Sequence, residues 1–220
     1  MPKGGGYHVT QRLYEGKYLK VESLFQVPKV CVSEPDNGCY NGVFPEFVHG
    51  FHTTGSTNLD AGLIYSRYGS DGDTWRLFHS GNGVVASGNW EELGTFTLAK
   101  SSQVYMTTVI SIAENKVITE LRWSRNSAPF KSLKTTLNDD FYKNAVTYNN
   151  GCKVFRELLM STNRLGTTYY NTRARFEFAK FTFDILTDIN GIEHVMDNSG
   201  EIKASADNDV VILTHVIEIS

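Results

Sequence analysis

Cysteine, proline, long apolar runs and an excess of positive charge are what this 220-residue sequence has least of, and each scarcity closes a class of answer. Three cysteines are too few for a disulfide framework. Cys31 and Cys39 flank a loop with Pro35, Asp36 and Gly38, which suits a local disulfide with Cys152 left over, and suits free thiols equally well. No apolar run approaches the roughly 20 residues that cross a bilayer, so no transmembrane segment is expected. Lys and Arg total 21 against 24 Asp and Glu, a net charge of −3, which leaves no basic field to hold nucleic acid or an anionic membrane. No Asn-X-Ser/Thr sequon occurs, as befits a bacterial protein. The opening Met1 to Gly6 is not a signal peptide and reads as the front of a mature segment whose leader has been removed, or as a cloning remnant.

What the sequence does have is alternation with a period of two. Along 17–28, Leu19, Val21, Phe25 and Val27 fall on one face and Lys20, Glu22 and Gln26 on the other. The run 103–112 puts Val104, Met106, Thr108, Ile110 and Ile112 on one side, and 116–124 does the same with Val117, Thr119, Leu121 and Trp123. Ala113 to Asn115 between them reads as a hairpin loop. Further strands are expected at 43–51, 58–65, 74–79, 95–99, 152–160, 173–186, 191–196 and 209–219, making about eleven, with Asn/Asp/Gly-rich turns between them. Only 137–145 has a helical pattern, with Asn138 as its N-cap. One short helix among so many strands excludes a βαβ design and predicts an all-β, two-sheet antiparallel jelly-roll sandwich. With no linker tract and no repeat, residues 16–220 are expected to form one domain behind an N-terminal segment, 1–15.

Two stretches carry a family resemblance. Residues 16–30, with Phe25-Gln26-Val27-Pro28, and the pair Val48-His49-Gly50-Phe51 and Asn58 to Tyr65 resemble successive strands of the glutamic peptidases, the eqolisins. More broadly the chain resembles the concanavalin A-like lectin and glucanase group, which implies the two-sheet jelly roll. The departures matter. Asp60 stands where the eqolisins carry their catalytic Gln, and the nearest counterpart of their Glu is Glu157, in a lead that lacks the expected Trp. A Gln that polarises a carbonyl is not replaced in kind by a carboxylate, so the family's chemistry does not carry over unchanged.

Asp60 and Glu157 are nevertheless the catalytic candidates, since two carboxylates facing one cleft divide acid and base roles when their environments differ. Trp75, Trp90, Tyr65, Tyr68 and His79, with Asp60 beside them, are the candidates for a sugar-stacking platform, flat rings suiting pyranose faces. Trp123 shares a face with Val117 and Leu121 and is expected in the core. Asp71-Gly72-Asp73 offers alternating carboxylates in a Gly-bearing turn, a start for a calcium site, while His49 and His52 lack the further ligands that zinc needs. No serine-hydrolase elbow or phosphate-cradling loop occurs, and 58–66, 73–79 and 173–188 supply no Glu-X-Asp-X-(X)-Glu glucanase run. The sequence leads to a secreted or cell-surface module that binds carbohydrate or cell-wall polymer without catalysis, needing no cofactor other than calcium. The alternative is an acid-type hydrolase of peptide or glycan using Asp60 and Glu157. Oligomeric state is not legible.

Overall fold

Period-two sequences need two surfaces to cover, and here each covers the other. The computed structural model describes residues 5–14, 16–31, 43–53, 57–65, 74–85, 90–141, 153–162, 175–207 and 210–216. Fifteen strands follow in chain order: β1 (Gly5–Tyr14), β2 (Tyr18–Gln26), β3 (Lys29–Cys31), β4 (Val43–His52), β5 (Asn58–Tyr65), β6 (Thr74–Ser80), β7 (Trp90–Glu92) and β8 (Phe96–Thr97); then β9 (Gln103–Ser111), β10 (Lys116–Arg122), β11 (Lys131–Thr136), β12 (Lys153–Thr162), β13 (Arg175–Asp188), β14 (Glu193–Asp207) and β15 (Val210–Val216). Sheet A runs β1-β12-β4-β5-β6-β7, with β8 also on β6, and sheet B runs β11-β10-β9-β2-β13-β14-β15, with β3 also on β13. The pairings are antiparallel, as hairpin-rich sheets with one face on a core require.

Each of the eleven expected strands coincides with a strand of the fold. Four more, β1, β3, β7 and β11, were not expected. Residues 5–14, read from sequence as a separate segment, lie along β12 as β1, with Gln11 opposite Glu157. The turns follow their chemistry. Asp188 Oδ1 accepts the backbone N–H of Asn190 and of Ile192, and Gly191 takes φ +80° in the same turn. Asn138 caps the start of the helix, its Oδ1 accepting from the N–H groups of Asp140 and Phe141 at 2.8 and 3.1 Å. Residues 142–145 of that expected helix lie outside the described residues, as do Cys39 and Cys152, the partners Cys31 would need for a bridge.

Between the sheets the apolar side chains form two clusters. One gathers Phe25, Phe47, Leu63, Trp75, Leu77 and Met106, with Phe25 stacked on Phe47 at 4.4 Å; the other gathers Val21, Phe51, Leu59, Ile110, Val117 and Leu186. On β2, β4, β9 and β10 a polar residue separates the members of the two clusters: Ser23, His49, Thr108 and Thr119 respectively. The sandwich therefore has a polar row through its middle.

Candidate functional site

Cross-strand partners in an antiparallel sheet lie on one face, so the register alone locates the candidate carboxylates. In sheet A, Phe155, Gly50, Asp60 and Ser80 form one row across β12, β4, β5 and β6. Glu157, Val48, Gly62 and Phe78 form the next row on the same face, two residues along each strand. Because Phe47, Phe51, Leu63 and Leu77 alternate with these and point into the core, this face is the one turned away from sheet B. Asp60 and Glu157 thus share the outer face. They stand two strands and one row apart, about 12 Å between Cα atoms from strand spacing and rise.

The ground between them is apolar. Val48, Phe78 and Phe155 form a small cluster on this face, exposed by 3, 1 and 5%. The Phe155 ring lies directly over Gly50, where an added Cβ would come within 1.8 Å of its Cζ, so only glycine leaves room for it. Gly62 is held as tightly, a Cβ there meeting the Phe47 carbonyl oxygen at 2.0 Å. His52 packs edge-on against Phe155, ring centroids 4.7 Å apart, and its Nε2 stands 3.5 Å from Asp60 Oδ1. Asp60 is partly open to solvent, whereas Glu157 is 4% exposed. The outcome is two carboxylates on one face in unlike settings, one partly exposed beside a half-exposed histidine and one almost wholly buried.

Most of the expected sugar platform lies elsewhere. Trp75 is 1% exposed and sits in the core with Tyr65 edge-on to it at 5.3 Å. His79 is fully buried. Their strands β5 and β6 run through the middle of sheet A, where inward positions are covered by sheet B, so these three are not surface groups. Trp90 opens β7 in register with Ser80, and Tyr68, Asp71 and Asp73 lie outside the described residues. Among the described residues no group of three His, Cys, Asp or Glu side chains is placed to hold a metal. His49 and His52 fall on opposite faces of β4, as their odd spacing in a strand demands. Trp123, expected inside, is 54% exposed: β10 ends at Arg122, so the next side chain passes beyond the sheet and stacks on Phe130 at 4.1 Å and 13°.

Beneath the candidate carboxylates runs the polar row. Arg156, His49, Ala61 and His79 are cross-strand partners on the inner face of sheet A, lying between the two outer rows. Sheet B answers with Asp184, Ser23, Thr108, Thr119 and Thr135. Ser23 Oγ donates to Asp184 Oδ1 at 2.6 Å, Tyr14 donates its hydroxyl to Asp184 Oδ2, and Arg156 Nε stands 3.2 Å from that same oxygen. His49 bonds Ser23 through Nε2 at 2.9 Å and Thr108 through Nδ1 at 3.0 Å. Thr108 and Thr119 are 3.1 Å apart, and His79 joins Thr119 through Nε2 at 2.9 Å and Thr135 through Nδ1 at 2.8 Å. Burial, with the charge of Arg156 nearby, holds the His49 pKa down to about 3, and burial alone does the same for His79. From sequence His79 stands out only as a sugar-platform candidate and His49 only as an incomplete zinc ligand, and the row that joins them is not evident. The available signal was Ser23, Thr108 and Thr119, each a polar residue at an inward position of an otherwise apolar alternation.

A third feature is an open cleft of about 550 Å³ on the outer face of sheet B, floored by Lys20, Glu22, Thr107 and Glu120 and walled by Arg125 and Glu193. Its charges answer one another: Arg125 Nε binds Glu22 at 2.5 Å, Arg125 Nη2 binds Glu193 at 2.7 Å, and Lys20 stands 2.9 Å from Glu22. Those partners raise Arg125 above its ordinary range, the hydrogen bond to Glu193 most.

No family model matches the chain, and no curated protein matches it. Among solved structures, SCP-B, a member of the eqolisin family of peptidases in complex with the tripeptide Ala-Ile-His, is similar over 97% of this chain and 96% of that one, with a TM-score of 0.45 and 11% identity. Among the described residues of this chain, no helix is long and apolar enough to cross a membrane.

Proposed function

We propose that this protein is a hydrolase that works from the outer face of sheet A at mildly acidic pH, with Asp60 and Glu157 as its carboxylate pair and a peptide or glycan as substrate. The observation that carries the reading is the register that puts both side chains on one face with a single strand between them. From that spacing an Asp and a longer Glu can flank one scissile bond and its water. Their unlike settings are what separates acid from base. In this reading buried Glu157 gives a proton to the leaving group, and the more open Asp60, beside His52, takes one from water. Phe155, seated on Gly50, supplies an apolar floor that limits water around the bond.

Non-catalytic binding of carbohydrate or wall polymer by a secreted or surface module is the second reading. One observation favours it: the Trp123 ring, stacked on Phe130, keeps more than half its surface open. Incubation of the folded chain with peptide mixtures and polysaccharides, from about pH 4 to about pH 8, separates the two. Cleavage that disappears in Asp60→Asn supports the hydrolase. Glycan binding without turnover, abolished by Trp123→Ala, replaces it with the second reading.

A further inference from the structure

The polar row crosses from sheet to sheet at six places: Tyr14 to Asp184, Arg156 to Asp184, Ser23 to His49, His49 to Thr108, and His79 to both Thr119 and Thr135. Its protons have a single consistent direction. Asp184, beside Arg156, receives two hydroxyls and acts here only as an acceptor. Ser23 spends its one proton on Asp184, so it must accept from His49 Nε2–H. A neutral His49 then accepts at Nδ1, and Thr108 donates there. Thr108 must in turn accept from Thr119, Thr119 from His79 Nε2–H, and His79 Nδ1 accepts from Thr135. Every step follows from the one before, because each hydroxyl has one proton and each neutral imidazole one N–H. Both rings are therefore held as neutral Nε2–H tautomers, and each Nδ1 already has a hydroxyl proton pointed at it.

We propose that this row is an acid-operated clasp between the two sheets, closed only while both imidazoles are neutral, and that proton uptake opens it and frees β4 and β6 from sheet B. A ring protonated at Nδ1 presents a donor where a donor already points, among buried hydroxyls already committed to one another. Among the described residues, the charged groups facing the row from the surrounding strands are few. Arg156 of β12 opposes a second cation, and Asp184 of β13 is the carboxylate that meets it. In register, Glu91 of β7 lies opposite His79, and Arg12 of β1 lies opposite Arg156.

β4, which carries His49, lies between β12 and β5, the strands of Glu157 and Asp60, so loosening it acts on whatever the outer face of sheet A does.

The test follows imidazole ¹⁵N shifts and the near-ultraviolet circular dichroism of the whole chain from about pH 7 to about pH 4. Two neutral Nε2–H rings are expected at the start, then a single loss of tertiary signal with proton uptake. The variant carrying His49→Gln and His79→Gln keeps one donor and one acceptor at each place but does not titrate, and its transition should move down by about one pH unit or more. Imidazolium signals in protein that is still folded at about pH 5, or an unchanged transition in the Gln variant, overturn the clasp. Should that variant fail to fold, Thr135→Val decides: removing the hydroxyl that occupies His79 Nδ1 should raise the pH of opening, and an unchanged value refutes the proposal.

Discussion

At the scale of single residues, the fold rests on a few positions where one atom decides. Phe25 is fully buried against Phe47, so Phe25→Ala removes transfer energy and leaves a cavity, an expected cost of about 3–5 kcal/mol in chemical denaturation. Lys20→Ala, on the opposite face of β2, loses a half-exposed ion pair to Glu22, which keeps Arg125, and should cost about 1 kcal/mol at most. Gly50 is the more telling case. Gly50→Ala drives a methyl into the Phe155 ring and should cost about 1–3 kcal/mol, and pairing it with Phe155→Ala should cost less than the sum of the two singles, because the ring that clashes is gone. Additive losses in that double-mutant cycle would show that Phe155 is not seated on Gly50.

At the scale of strands, what was legible depended on how much of each element the core dictates. Alternation located β2, β5, β9 and β10 because their inward residues are mostly apolar, and turn residues bounded them. β11 was missed: Lys131 to Thr136 has few apolar residues and earns its pairing only beside β10. β3 and β7 are three residues long each, too short for any period to register. Trp123 lies one residue past the end of the ladder, where an inward phase no longer puts a side chain in the core. The same holds for the site. Shared facing of Asp60 and Glu157 needs the registers of β12, β4 and β5 together, which pairs residues nearly a hundred positions apart and leaves no local mark. The polar row was written in the sequence as Ser23, Thr108 and Thr119, but its partners His49, Arg156 and Asp184 come from other strands. Thr119→Val keeps the shape and removes one link, leaving the N–H of His79 and the oxygen of Thr108 without a partner. A loss of about 2–4 kcal/mol is expected by urea unfolding, against less than about 1 kcal/mol for exposed Thr136→Val on β11.

At the scale of the whole molecule, the buried histidines tie stability to pH. Both are held near pKa 3 when folded and return to about 6.5 when unfolded, so between those values the unfolded chain binds more protons and stability falls as pH falls. The full effect is on the order of 5 kcal/mol for each ring, comparable with the net stability of a domain, and urea unfolding should show roughly half of it gone by about pH 4.5. The direct test of the functional account is the steady-state kinetics of Asp60→Asn, Glu157→Gln and the double variant on whichever substrate the parent cleaves. Residues that act as one unit give losses that do not multiply, so each single change should lower kcat/KM by about a hundredfold or more and the double should be no worse than the poorer single. Turnover surviving either substitution in a folded variant, or losses that multiply, would show that Asp60 and Glu157 are not a catalytic pair.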